Sequence, residues 1–155
     1  MQEAEALAVP GVQVGYVTRK GAGHVTNEDR HNDVDLRGKL SQTCLDARQA
    51  KDGMWFWGVY DGHGGPGASE YTHTHLIPHV VAELEAEGAK KPVGECLVAG
   101  FATTEAEIMR IEEETDEDSG TCACAVVLAG LELTTAHVGD CRAIIAAGVT
   151  PQVST

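Results

Sequence analysis

Three short segments carry side chains whose types and spacing can do chemistry. Asp61-Gly62-His63-Gly64-Gly65 follows directly on the apolar run Met54–Tyr60. A strand ending there would hold Asp61 rigidly at a sheet edge, where its two carboxylate oxygens can face a cation. Gly62 would let the backbone turn so that its own carbonyl adds another oxygen. Hard cations such as Mg²⁺ and Mn²⁺ take oxygen shells of this kind. His63, tunable near neutral pH, can serve as a general acid. Asn27-Glu28-Asp29-Arg30 places consecutive carboxylates in a polar loop, and Gly139-Asp140-Cys141-Arg142 places another in a tight turn between apolar stretches. Taken singly, each segment also reads as a solvated turn.

Such turns need elements to hold them. Residues 1–10 read as a flexible lead-in ending at Pro10, and 11–155 as one folded region. Val12, Val14 and Tyr16 alternate with Gln13 and Gly15, which predicts a strand; Val34 and Leu36 predict a second after the polar loop 19–32. Met54–Tyr60 predicts a buried strand. From 68 to 87 the period becomes helical, with Ile77, Val80, Val81 and Leu84 on one face and Gly88 as the C-terminal cap. Pro78 is expected to kink this helix or to start a second segment. Another helix is expected over 92–114, with Val93, Leu97, Phe101, Ile108 and Ile111 on one face. Strands follow at Cys122–Leu128, Leu131–Val138 and Cys141–Ala147, separated by turns at Ala129-Gly130 and Gly139-Asp140. The order of strands, two helices and strands predicts an α+β fold with antiparallel pairing.

Composition narrows the function. At 155 residues, 43% hydrophobic and 23% charged, the chain suits one globular domain. Aromatics are only 5%, so aliphatic residues must build the core, and 18 glycines exceed the typical ~7% share. Eleven basic against 24 acidic residues give a net charge of −13. That balance disfavours nucleic acid and anionic membrane surfaces and suits divalent cations. No stretch approaches the ~18 consecutive apolar residues of a membrane-spanning helix, and the acidic start lacks the basic region of a secretory signal. The five cysteines form no C-x-x-C pair, so free thiols in a reducing cytosol or nucleus are expected.

In this order, the segments resemble the metal-dependent protein serine/threonine phosphatases of type 2C. The matching pieces are Asn27-Glu28-Asp29-Arg30, Gly58-Val59-Tyr60-Asp61-Gly62-His63-Gly64-Gly65, Ser119-Gly120-Thr121 and Val138-Gly139-Asp140-Cys141-Arg142-Ala143. The resemblance covers about residues 11–155. It implies a partial four-layer α-β-β-α sandwich with antiparallel sheets, in which the two helices pack side by side on one sheet. It implies that Asp61 bridges two Mn²⁺ or Mg²⁺ ions, with the Gly62 carbonyl as a further ligand. Glu28 and Asp29 then hold the ions through water, Asp140 belongs to a third, weaker metal site, and His63 protonates the leaving alkoxide. Asp61 is therefore expected beside Glu28 or Asp29, with Asp140 on the same rim. The implied reaction is hydrolysis of phosphoserine and phosphothreonine on phosphoprotein partners by metal-activated water.

Two departures stand out. His24 occupies the usual position of a phosphate-binding Arg or Lys, with Arg19 and Lys20 close upstream as substitutes if the loop bends. Domains of this family also continue past the Gly-Asp-x-Arg strand into a half that supplies two more aspartates. Little or no activity is accordingly expected of residues 1–155 alone. An inactive fragment or pseudophosphatase that binds a protein partner is the alternative function. His73, His75 and His79 read as a solvated helix face, Cys122, Cys124 and His137 as structural, and Glu112–Asp118 as a solvated charge run.

Overall fold

The computed structural model describes residues 13–22, 25–86, 89–116, 118–147 and 150–153. Its main sheet is antiparallel, with β1 (Arg30–Asp35), β2 (Met54–His63), β3 (Gly120–Ala129) and β4 (Glu132–Val138) in spatial order. A 3₁₀ turn at Leu36–Gly38 and helix α1 (Gln42–Ala47) lie between β1 and β2. Helices α2 (Gly67–Glu85) and α3 (Val93–Thr115) lie between β2 and β3. Strands β5 (Ile144–Ala147) and β6 (Thr150–Val153) pair antiparallel as a second, two-stranded sheet. This is the mixed, antiparallel α+β architecture read from the sequence.

Period-two alternation sets the core. On β2, Met54, Phe56 and Tyr60 are buried on the helix side, beside Ala123, Ala125 and Val127 of β3. Against them sit Leu76, Val80 and Leu84 of α2 and Cys96 and Leu97 of α3. The helices lie side by side over this sheet, α2 touching β1, β2 and β3 and α3 touching β4. Gly100 makes their close approach possible, since a β-carbon there would come within 2.5 Å of Val80 Cγ2 and 3.2 Å of the Val80 nitrogen. Tyr60 donates its hydroxyl to Asn32 Oδ1 at 2.6 Å, and burial pushes its phenol pKa far up.

Several boundaries depart from expectation. Of the strand expected at Val12, Val14 and Tyr16, Val12 lies outside the described residues, and residues 13–16 form no strand. Tyr16 instead lays its ring 3.7 Å from that of His31, so the segment docks through side chains and not through a ladder. Pro78 lies inside a continuous helix. It falls on the exposed side beside exposed Thr74, where the carbonyl it leaves without an amide partner can turn to water. Gly88 lies outside the described residues; α2 ends with Ala86 in an extended conformation. Leu36 leaves β1 for the 3₁₀ turn, capped by Asp35, which accepts from the Arg37 N–H at 3.0 Å. Cys141, Arg142 and Ala143 precede β5 instead of belonging to it. The Arg142 guanidinium donates to the carbonyls of Gly139 (2.9 Å) and Cys141 (2.7 Å), engaging acceptors that a ladder would otherwise use.

Helix α1 lies in a stretch for which the sequence reading offers no element. Its signal is Ser41, whose hydroxyl accepts from the Cys44 N–H at 3.2 Å as an N-cap.

Candidate active site

Strand β2 delivers Asp61 and His63 to the face opposite the helices, with Gly62 turned toward the core between them. The backbone there is too crowded for a side chain. A β-carbon on Gly62 would stand 2.5 Å from the Glu28 carbonyl oxygen and 2.8 Å from Ser69 Oγ. Ser69 lies at the start of α2 and donates to that same carbonyl at 2.5 Å, tying the Glu28 loop to β2. Arg30 Nη1 donates to the carbonyls of Asn27 (2.9 Å) and Asp29 (2.8 Å), and its Nε pairs with Glu70 of α2 at 2.5 Å. Asn27 Oδ1 accepts the Asp29 N–H at 3.2 Å. The 27–30 loop is thus held through its backbone from several sides. Glu28 and Asp29 line a recess of about 150 Å³ together with Asp61, Gly62 and Arg19.

A second recess, of about 280 Å³, shares Arg19, Asp29 and Asp61 with the first and extends to Tyr16, His31 and Cys141. Across it lies the turn after β4, where Gly139 adopts φ 77°. That conformation is cheap only for glycine, and a side chain there would run into Cys122. The turn brings Asp140 and Cys141 to Asp61: one ligand atom from each of the three lies within 4.8 Å of the others. Asp61 and Asp140 are exposed and Cys141 is half-buried. Burial pushes the Cys141 thiol up to about 11, and the neighbouring Cys122 and the Asp61 carboxylate add to the shift.

His63 ends β2 opposite Gly120, and a β-carbon on Gly120 would overlap its imidazole. The Ser119-Gly120-Thr121 segment therefore makes room for the ring, while Ser119 Oγ accepts the Ala68 N–H at 3.0 Å and fixes the start of α2. Gly64 and Gly65 take φ of 72° and 133°, and a β-carbon on Gly64 would approach the Asp118 carbonyl to 2.6 Å. The glycine run is a close crossing of two backbones.

Of the residues singled out in the sequence, Asp61, Glu28, Asp29 and Gly62 line the two adjoining recesses, and Asp140 meets Asp61 beside them. His63 stands two residues along the same face of β2. His24 lies outside the described residues. Arg19 is the basic side chain that lines both recesses, whereas Lys20 donates to the Val25 carbonyl at 3.4 Å. Cys141 was not read as a site residue; its position next to Asp140 in a two-strand turn was the available signal. The oxygen donors suit a hard divalent cation, and the crowding at Gly62 fits a strand end that leaves its backbone bare beside them.

Residues 16–154 match the sequence model of the protein phosphatase 2C family, and the chain belongs to that family. Among curated relatives, an Arabidopsis thaliana probable protein phosphatase 2C 2 is 30% identical over 132 residues, covering 85% of this chain and 33% of the relative. Probable protein phosphatase 2C 25 of the same plant is 28% identical, covering 94% of this chain and 35% of its own. The chain thus spans about a third of the length of these relatives. The fold is shared with a serine-threonine phosphatase 2C from Toxoplasma gondii (TM-score 0.62, 18% identity, 85% of this chain and 45% of that one). It is shared too with a Mycobacterium tuberculosis serine/threonine phosphatase (TM-score 0.60, 20% identity, 88% and 51%). Among the described residues no helix is long and apolar enough to cross a membrane.

Proposed function

We propose that this chain carries the first part of a centre that hydrolyses phosphoserine and phosphothreonine on proteins with the help of Mn²⁺ or Mg²⁺. The observation that carries the reading is the convergence of Asp61 with Asp140, beside a recess lined by Glu28 and Asp29, in a member of the protein phosphatase 2C family. Asp61 would hold both ions, with the Gly62 carbonyl as a further oxygen. Glu28 and Asp29 would act through ordered water, and Asp140 would serve a third ion. When bound, the ions supply a more acidic water and neutralise phosphoryl charge.

The protein's own residues do the rest. Arg19 would meet phosphoryl oxygens with its planar guanidinium, the role left open by His24. His63 would give its proton to the serine or threonine oxygen as the P–O ester bond breaks, so the product leaves as an alcohol. Positioning and charge neutralisation account for most of catalysis in phosphoryl transfer, which is why the loop is held so firmly by Arg30 and Ser69.

Calorimetric titration with Mn²⁺ and phosphate release from a phosphothreonine peptide test this together. Mn²⁺ heats that vanish in Asp61→Asn, with little or no phosphate release from residues 1–155 alone, are the expected results; robust chelator-sensitive release that falls in His63→Ala would show that this portion of the centre suffices. Unchanged titration heats in Asp61→Asn would contradict the assignment.

A further inference from the structure

The donor set around Asp61 is not purely oxygen. Cys141 brings a sulfur to within 4.8 Å of a carboxylate oxygen of Asp61 and one of Asp140, and the backbone N–H of Asp61 faces that sulfur. Resting on the reading of this centre as a cation site, we propose that Asp61, Asp140 and Cys141 form a mixed oxygen–sulfur site for a thiophilic divalent cation of the Zn²⁺ class. An ion there occupies Asp61 and so excludes the hard cations from it, switching the centre off.

The chemistry follows from the ligands. A thiolate selects Zn²⁺ or Cd²⁺ over Mg²⁺ and Mn²⁺, which prefer carboxylate, carbonyl and water. Three protein donors plus one water make the usual four-coordinate shell of an accessible zinc ion, with bonds of ~2.0–2.3 Å that small side-chain rotations would reach from the observed spacing. On binding, the sulfur–metal bond replaces the S–H bond, and the proton passes to solvent. The turn is built to present this set. Gly139, at φ 77°, lets the chain reverse where Cys122 leaves no room for a side chain. The Arg142 guanidinium holds the carbonyls of Gly139 and Cys141 at 2.9 and 2.7 Å, which fixes the backbone on either side of Asp140. Cys122, paired across the strands with Asp61, is the neighbouring thiol and provides the control.

The test uses the full chain under a phosphine reductant, with Cd²⁺ and Zn²⁺ as probes. Cd²⁺ should produce a sulfur-to-metal charge-transfer band in the ultraviolet that is lost in Cys141→Ser and retained in Cys122→Ser. Zn²⁺ affinity in Cys141→Ser should fall by at least ~10-fold, the scale on which even outer-shell partners count, while Mn²⁺ affinity stays within about twofold because its donors are oxygens. Prior Zn²⁺ should abolish the Mn²⁺ heats of the wild-type chain. Circular dichroism confirms that each variant is folded, and Cys141→Ala serves as a second variant with the same expected loss. Absence of the band in the wild-type chain, or its full retention in Cys141→Ser and Cys141→Ala, overturns the proposal. If the band is missing while Mn²⁺ still binds through Asp61, only this inference fails; if Mn²⁺ does not bind at all, the reading of the centre in the preceding section fails as well.

Discussion

Gly62 is the residue on which the candidate site turns. The carbonyl of Glu28 and the hydroxyl of Ser69 occupy the space a side chain would need, and the Ser69 hydroxyl also ties down that carbonyl. Replacing Gly62 by Ala must move the 27–30 loop, because one of the clashing atoms is backbone. Overpacking of this kind costs about 1–3 kcal/mol. Gly62→Ala is therefore expected to lower the unfolding free energy by that amount, read as a fall in the urea midpoint at unchanged slope, and to weaken Mn²⁺ binding, since Glu28 and Asp29 move with the loop. A variant that keeps wild-type stability would show that the loop yields freely and is not held by Arg30 and Ser69.

Among the elements, the contact between α2 and α3 decides whether the helices can carry the glycine turn to its place. Gly100 lies against both the side chain and the backbone nitrogen of Val80, so Gly100→Ala must force the helices apart. The modest gain in helix propensity from alanine, about 1 kcal/mol, is outweighed by that separation. A net loss of about 1–2 kcal/mol in chemical denaturation is expected, with no change in Mn²⁺ affinity if the sheet face is undisturbed.

The same helix pair carries a pH-sensitive contact. Glu107 of α3 accepts the Tyr71 hydroxyl and lies 3.2 Å from His79 Nε2. The Tyr71 hydrogen bond first, and then the charges of His79, His75 and Arg110, hold the Glu107 carboxyl below its usual 4.5. A carboxyl depressed in the folded state stabilises the fold above its unfolded pKa and loses that contribution as pH falls through the folded value. The stability difference between the wild type and Glu107→Gln should accordingly be present at neutral pH and shrink below pH 4.5. Urea unfolding across that range reads it. A constant difference would place the effect in packing and not in ionisation.

At the scale of the molecule, the net charge of −13 sets the response to ions. Self-repulsion among exposed carboxylates is screened by salt, with a Debye length near 10 Å at 0.1 M. Melting temperature should rise as NaCl is added to a low-salt buffer. Specific binding adds to this by mass action, by about 2.7 kcal/mol at a hundredfold excess over the dissociation constant. Mn²⁺ should therefore raise the melting temperature above an ionic-strength-matched NaCl control in the wild type, and only to the level of that control in Asp61→Asn. Equal melting temperatures in Mn²⁺ and matched salt for the wild type would mean that the carboxylates act as a diffuse charge and not as a site.

Much of this was readable in the residues, because local signals and tertiary demands agree there. Met54–Tyr60 reads as a buried strand, but β2 carries Asp61, Gly62 and His63 on in register with β3, and the chain turns only at Gly64 and Gly65. The apolar period of α2 declared its buried face, whereas in α3 only Leu97 of the expected stripe is buried, beside Cys96, Gly100 and Thr104; the order of four motifs placed the chain in its family. The segment 13–16 failed because alternation over so few residues cannot say whether an edge is available to pair with, and Tyr16 found His31 instead. Pro78 failed because a missing amide is costly only where its acceptor cannot reach water, which depends on the face the tertiary packing exposes. Cys141 was unreadable for a related reason. Its chemistry depends on a sulfur meeting Asp61, some eighty residues away in sequence, across a turn whose shape is set by Gly139 and Cys122. Local sequence specifies which groups a turn presents; only the packed sheet decides which groups they meet.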